Sequence, residues 1–293
     1  MYQNFINLYF KKTQLIIFLM GILSGIPLYL ILSTLFIWLT REGIDISTIG
    51  LFALTQVPWT IKFLWAPIFD NYKIPFFHQK IGQRKSWLLV IQIFLILSII
   101  SLGYSEPLNN IKFTALLTLL VVFFSASQDI VIDAYRIEIL DDNSQGAGAA
   151  MTQLGYRIGG IFSGAGSLYL KTLFSWEIVF SIIAIIVFFL MILTNLFVPL
   201  KKDKKFIINQ KNLIKPFNEF IFRNSFLRVL LIVLLIFSFK FGDVIAGVMA
   251  NPFYVKLGFS NIDIANASKI FGVIMTIIGV FCGGALVKKI GII

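Results

Sequence analysis

Seven ionisable side chains stand inside otherwise apolar stretches: Lys62, Asp129, Asp133, Arg157, Lys240, Asp243 and Lys269. Such groups are costly to keep in an apolar setting, so they mark function by default. A buried carboxylate near a cation can load and release a proton, because burial disfavours its charged form and the cation favours it. Asp129 and Asp133 are one helical turn apart on one face. Both are therefore candidates for proton coupling, with Arg157 as their partner and as a substrate anchor. A permanent ion pair that only locks two helices is the competing reading. Lys62 follows Gln56 and Trp59 at three-residue spacing, which gives one polar, aromatic face that could line a substrate path. Against this stands a lysine snorkelling to the interface. Lys240 and Asp243 either line the same path or neutralise each other. Lys269 either lines it or snorkels, and Tyr156 is a further lining candidate. Four cations against three acids in these stretches suit an anionic substrate.

Other chemistries find little support. The single cysteine, Cys282, excludes an internal disulfide framework and any multi-cysteine metal site. The single histidine, His78, lies in a basic loop and argues against histidine-based metal sites and Ser/His/Asp triads. The sequence contains no G-x-x-x-x-G-K-[ST] phosphate loop. No metal, no cofactor and no enzymatic activity are expected.

The elements that must position the seven residues are membrane spans. Of 293 residues, 58% are hydrophobic and 13% charged, and the mean hydropathy is +0.89. Ordinary soluble domains carry about 25% charged residues, so the composition points to a polytopic all-α membrane protein. A helix of about 20 apolar residues crosses a bilayer. Eight such spans are predicted: 15–38, 49–69, 87–104, 113–134, 146–170, 178–200, 229–250 and 265–287. Lys11 and Lys12 precede the first, whose apolar run is too long for a signal peptide. Seventeen Lys and Arg residues collect on the side of the N-terminus, and only Arg41, Lys112, Lys171 and Lys256 on the other. By the positive-inside rule the N-terminus is cytoplasmic. The net charge of +11 is thus a matter of topology and lipid contact, and no nucleic-acid partner is expected. Trp38, Tyr104, Tyr169, Trp176 and Tyr254 fall near outer span ends, as an aromatic belt would. Spans four and five form a hairpin turning near Asn143. Asp129 and Arg157 lie at equal distances from that turn, so an Asp129–Arg157 ion pair is expected at mid-membrane. Glycines 155, 159, 160, 164 and 166 in span five, and 21 and 25 in span one, permit close helix approach.

The segment Ser125-Ala-Ser-Gln-Asp-Ile-Val-Ile-Asp-Ala134, followed by Gly146-Ala-Gly-Ala-Ala150 and Gly155-Tyr-Arg-Ile-Gly159, resembles the AmpG muropeptide permeases of the major facilitator superfamily. So do Ser24-Gly-Ile-Pro-Leu28, Lys62-Phe-Leu-Trp-Ala-Pro67 with Asp70, and Phe241-Gly-Asp243. The resemblance runs from span one to span eight. It implies a six-helix bundle over residues 1–200, a cytoplasmic loop over 201–225, and the first two helices of a second bundle over 226–293. It also implies proton-driven import of anhydro-muropeptides, which are anionic glycopeptides, from periplasm to cytoplasm across a bacterial inner membrane. Asp70, Arg84 and Lys85 match the gating loop of the superfamily, with Asn71 where a basic residue is usual. Residues 283–291 look like the second copy of that loop without its acid. The family continues for four further spans. The expectation here is a fragment, a shortened non-transporting product, or a chain needing a partner. An acetyl-coenzyme A carrier of the same superfamily is the other transport reading. Oligomeric state is left open.

Overall fold

Helices account for nearly all of the computed structural model, which describes residues 11–75, 77–141, 144–197 and 226–276, without seven side chains between 226 and 244. Eight helical segments run through the described residues. They are α1 (Lys12–Arg41), α2 (46–71), α3 (Gln83–Gly103), α4 (Ile111–Ile139), α5 (145–171), α6 (Trp176–Phe197), α7 (Phe226–Lys256) and α8 (261–276). A short helix, Phe77–Ile81, lies between α2 and α3. Each predicted span overlaps one of these helices, and the predicted ends of the sixth and eighth, at 200 and 287, lie outside the described residues. Four helices, α1, α3, α4 and α6, are each long and apolar enough to cross a membrane. The predicted loop over 201–225, the turn at Asn143, Cys282 and the second loop copy at 283–291 lie outside the described residues.

α1 is apolar on every side, the pattern of a helix enclosed by others. Leu23, Ile26, Leu30, Ile31, Leu35 and Leu39 are all fully buried in it. α5 lies against α1 with its glycines in the contact. A Cβ at Gly21 would strike the Thr152 backbone, one at Gly25 the Tyr156 carbonyl, one at Gly155 Phe18 and one at Gly159 Ile22. Two helices can approach this closely only where neither carries a side chain. From the other side, Gln128 of α4 donates Nε2–H to the Leu23 carbonyl of α1 at 3.0 Å. α1 thus separates the mid-membrane parts of α4 and α5.

α2 is broken. Pro58 and Pro67 each open a new helical piece, and 3₁₀ turns at Phe52–Gln56 and Lys62–Leu64 join the pieces. In a 3₁₀ turn residues three apart eclipse, so Trp59, Lys62 and Trp65 stay in one row against α4.

Three π-helical turns, at Leu30–Leu35, Ile161–Gly166 and Ala265–Phe271, lie in α1, α5 and α8. Such turns leave carbonyls outside the regular ladder. Two carbonyls in these turns accept bonds from neighbouring spans. Thr34 Oγ1 donates to Ser163 O at 2.7 Å, and Asn251 Nδ2 of α7 donates to Leu32 O at 3.1 Å.

The α1–α2 and α7–α8 connections use the same device. Gly43 (φ 82°) and Gly258 (φ 89°) adopt the left-handed conformation just past the first helix. The next residue's amide then returns to the helix, Ile44 to Leu39 O at 3.1 Å and Phe259 to Tyr254 O at 3.2 Å; this closing pattern favours glycine. Two residues after each glycine stands an N-cap, Asp45 or Ser260. Across this end of the bundle Arg41 donates to the Phe259 carbonyl and, through Nε, to Asn261 Oδ1 at 3.3 Å. Tyr169 of α5 donates to Asn266 of α8.

Two members of the expected aromatic belt are elsewhere. Trp38 and Trp176 are 2% and 3% exposed and pack on each other, with ring centroids 5.6 Å apart. The facing ends of α1 and α6 enclose them, whereas Tyr104 is exposed.

Candidate functional site

The mid-bundle polar residues fall into two groups on either side of α1, with Tyr156 of the second within electrostatic reach of Asp129 and Asp133. The first lies between α2 and α4. Trp59 Nε1 donates to Ser125 Oγ at 3.2 Å and Trp65 Nε1 to Ser127 Oγ at 3.1 Å. Between these two anchors Lys62 Nζ faces Asp129 Oδ2 at 3.8 Å. That distance is the outer limit of an ion pair. The Asp129 side chain is 12% exposed, and its Oδ1 is buried without a hydrogen-bond partner. Gln56 is also in this row, and its Nε2 is buried and unpartnered.

Asp129 therefore pairs with Lys62 and not with Arg157. The hairpin argument matched the depths of Asp129 and Arg157 but assumed that consecutive spans face each other. The glycine faces bring α5 onto α1 instead. Asp133 also differs from expectation. Its side chain is 51% exposed and lies 3.4 Å from Arg136, one turn further along α4.

The second group lies among α1, α5, α7 and α8. Arg157 Nη1 donates to the Tyr29 hydroxyl at 3.1 Å. The Tyr29 ring stands where a Cβ of residue 160 would be, so Gly160 makes room for it. Tyr156 meets Tyr29 edge-on, with centroids 6.3 Å apart. From the opposite wall Lys269 Nζ donates to Asn251 Oδ1 at 2.9 Å. Asn251 is itself held by the Leu32 carbonyl at 3.1 Å. Tyr29, Arg157 and Gly160 on one side, and Ser268, Lys269 and Thr276 on the other, bound a cavity of about 250 Å³. The side chains of Lys240 and Asp243 on α7 lie outside the described residues.

A third cluster closes the opposite end of the bundle from the Arg41 contacts. Arg84, at the start of α3, bridges two acids: Nη1 is 2.6 Å from Asp70 Oδ1 of α2, and Nη2 is 2.6 Å from Glu138 Oε1 of α4. Its Nε also donates to Glu138 Oε1 at 2.9 Å. Gln83 adds bonds from Nε2 to the Phe69 and Asp70 carbonyls at 2.9 and 2.8 Å. Charge-assisted bonds of this length are the strong ones. Lys85 neighbours the cluster in sequence.

The structure thus brings Gln56, Trp59, Lys62 and Asp129 together in one row, Tyr156, Arg157 and Lys269 around a second centre, and Asp70 and Arg84 in a third. Sequence reasoning missed Glu138, Tyr29 and Asn251. Glu138 stands five residues beyond Asp133, past the end assigned to the fourth span. Tyr29 lies four residues after Gly25, and Asn251 directly before Pro252 in an apolar run. The Asn-Pro pair was a signal that could have been read.

Comparison with known proteins places these features in a wider group. The family described as Major Facilitator Superfamily matches residues 8–293. A protein of Rickettsia conorii described as an AmpG 4 transporter is 36% identical over 295 residues, covering 96% of this chain and 69% of its own length. The anhydromuropeptide permease of Escherichia coli K12 is 34% identical over 300 residues, covering all of this chain and 59% of its own length. No solved structure matches the chain.

Proposed function

The chain belongs to the major facilitator superfamily as an AmpG-type permease, a multi-pass transporter of the inner membrane and not an enzyme, and on that premise we propose that it imports anhydro-muropeptides in symport with protons. The substrate class is taken from the printed name of the Escherichia coli relative. The direction is from periplasm to cytoplasm, with the N-terminus cytoplasmic as the basic residues of the loops suggest. Residues 1–200 act as one half of the transport unit and 226–293 as the start of the other, with 201–225 as their linker.

The observation that carries proton coupling is the Lys62–Asp129 pair. A carboxylate that is to exchange protons must be shielded from water yet not locked. Asp129 is shielded, one of its oxygens is bare, and its cation stands at 3.8 Å on a side chain that is 35% exposed. A small movement of the broken helix α2 would remove Lys62 and let a proton take its place. The partner role thus passes from Arg157 to Lys62. Asp133, exposed and beside Arg136, is the relay to the aqueous side. The Asp70–Arg84–Glu138 cluster acts as the cytoplasmic gate. Gln56, Trp59 and Tyr156 line the path, with Lys240 and Asp243 on its α7 wall.

The test is uptake of radiolabelled anhydro-muropeptide into proteoliposomes under an imposed pH gradient. The unaltered chain should accumulate it. Asp129→Asn should abolish gradient-driven accumulation while leaving insertion and ligand binding intact. Full accumulation by that variant would refute the coupling role. Uptake of acetyl-coenzyme A in place of muropeptide would assign the chain to the carrier alternative.

A further inference from the structure

Lys62 faces Asp129 at 3.8 Å, a distance at which the pair does little to hold itself. What holds it lies on either side. Three residues before Lys62 the Trp59 indole donates to the Ser125 hydroxyl at 3.2 Å, and three residues after it the Trp65 indole donates to the Ser127 hydroxyl at 3.1 Å. Both serines are fully buried. Serine and alanine differ there by one oxygen, and that oxygen is the acceptor. An indole N–H can only donate, and leaving it unpaired in an apolar setting is costly. Trp65 is fixed a second time by its ring, which packs on Phe123 with centroids 5.1 Å apart.

The backbone of α2 is shaped to present both indoles. Six residues along an unbroken α-helix would turn Trp65 about 120° away from Trp59, and only one of them could reach α4. The 3₁₀ turn at Lys62–Leu64, with about three residues per turn, reduces that offset. The row therefore meets α4 at three points, two neutral hydrogen bonds with an ion pair between them. A lysine on its own keeps no fixed position, because its stem is flexible and its head strongly hydrated. Lys62 is partly exposed, so water is its better partner once the row is loosened.

We propose that Ser125 and Ser127 are positioning residues: by binding the Trp59 and Trp65 indoles they hold Lys62 against Asp129, and so set how readily the carboxylate exchanges its cation for a proton. The inference rests on the proton-coupling reading for its effect on transport, and on geometry alone for the positioning. Among the described residues, the other groups that act on Asp129 are Asp133 of its own helix, Tyr156 of α5 and the neutral Ser24 hydroxyl of α1. None of these is a cation. α3 carries charge only in its first turn, at Arg84 and Lys85. Loosening Lys62 therefore moves the balance in one direction, toward the proton.

The experiment labels the full chain in nanodiscs with dicyclohexylcarbodiimide over a pH series and locates the modified carboxyls by mass spectrometry. The reagent adds to protonated carboxyls, so labelling against pH reports the protonation of Asp129, with exposed Asp133 as the internal standard. Ser127→Ala and Trp65→Phe remove one hydrogen bond from its two ends. Each should move the Asp129 midpoint to higher pH by about half a unit or more, roughly a threefold gain in proton affinity, and the two together should move it no further than either alone. Ser125→Ala should act in the same sense through Trp59. Ser127→Thr, which keeps the hydroxyl, should leave the midpoint in place, and Lys62→Gln should move it furthest. The Asp133 midpoint should not follow. An Asp129 midpoint that stays or falls in both Ser127→Ala and Trp65→Phe would overturn the proposal. So would a shift shared by Ser127→Thr, or no labelling of Asp129 at any pH. Uptake into proteoliposomes separates this from the coupling reading. A shifted midpoint with uptake that survives Asp129→Asn would refute proton coupling and leave the positioning standing, whereas an unshifted midpoint with uptake lost in Asp129→Asn would do the reverse.

Discussion

Gly155→Ala should destabilise the protein, although alanine is the better helix former. At an open helical position the change is favourable by up to about 1 kcal/mol. At Gly155 the added methyl group would strike the Phe18 carbonyl and stand 2.9 Å from Ile22 N and 3.1 Å from Gly21 C. All three are backbone atoms, so no side chain can rotate away and α5 must withdraw from α1. Overpacking of this kind costs roughly 1–3 kcal/mol. Set against the propensity gain, a net loss of up to about 2 kcal/mol is expected. The control is Gly247→Ala in α7, where an added Cβ meets nothing within 4 Å; it should be neutral or mildly stabilising. Thermal unfolding of the two variants in the same detergent, followed by intrinsic fluorescence, should move their midpoints in opposite directions, or Gly155→Ala alone downward. The withdrawal should also lengthen the 3.1 Å Arg157–Tyr29 bond, so ligand binding should weaken in the same variant. If Gly155→Ala melts at or above the unaltered chain, the glycine faces do not set the α1–α5 distance. The explanation for the separation of Asp129 from Arg157 then fails with it.

Three further outcomes follow from the same contacts. Arg84→Ala leaves Asp70 and Glu138 without their shared cation in a partly buried setting and should cost about 2–3 kcal/mol, toward the low end for breaking a buried pair; adding Asp70→Asn and Glu138→Gln should recover part of it, and simple additivity in that cycle would refute the bridge. Trp38→Ala removes a buried ring packed on Trp176 and Phe180 and should cost about 3–5 kcal/mol, whereas substituting exposed Tyr104 should cost little; equal losses would return Trp38 to the lipid interface. The Asp45 carboxyl is held down to about 2 by hydrogen bonds from the Ser47 hydroxyl, the Thr48 hydroxyl and the Thr48 amide. Its lowered value means that the cap is complete above the unfolded value near 4 and is lost as the pH falls through about 2. Hydrogen exchange at Thr48 should follow that course, and Asp45→Asn should remove the pH dependence.

The spans were legible because apolar runs of 20 or more residues have few other uses. Their neighbours were not. Depth along a helix can be counted from a turn, which is how Asp129 and Arg157 were matched, but azimuth is set by whichever faces pack. Gly21, Gly25, Gly155 and Gly159 carried that information, as residues that permit approach. What they did not carry was that each set meets the other. The Gln56–Trp59–Lys62 row was readable from its spacing, and the partners of Trp59 and Lys62 on α4 were not. The row holds its line only because prolines and 3₁₀ turns break α2. Glu138 was missed because the fourth span was ended at Ala134, where apolar periodicity weakens, and the helix runs on to Ile139.

The three polar clusters differ in tightness in a way that fits their positions. At one end Arg84 holds two acids at 2.6 Å, with backbone carbonyls of α2 drawn in through Gln83. Opening it means giving up several short charge-assisted bonds at once, so it suits two distinct states rather than gradual loosening. In the middle Lys62 and Asp129 stand at 3.8 Å with an oxygen bare, and among the described residues Arg157 and Lys269 are held by the Tyr29 hydroxyl and the Asn251 amide oxygen. Those groups have more to gain from a proton or an anion than from each other. If the order were reversed, with a tight pair at mid-membrane and a loose one at the end, arriving ligands would have to break bonds before making any. On the proposed reading, firm closure at the end and a loosely held pair at the centre would let binding energy from the centre act on the closure.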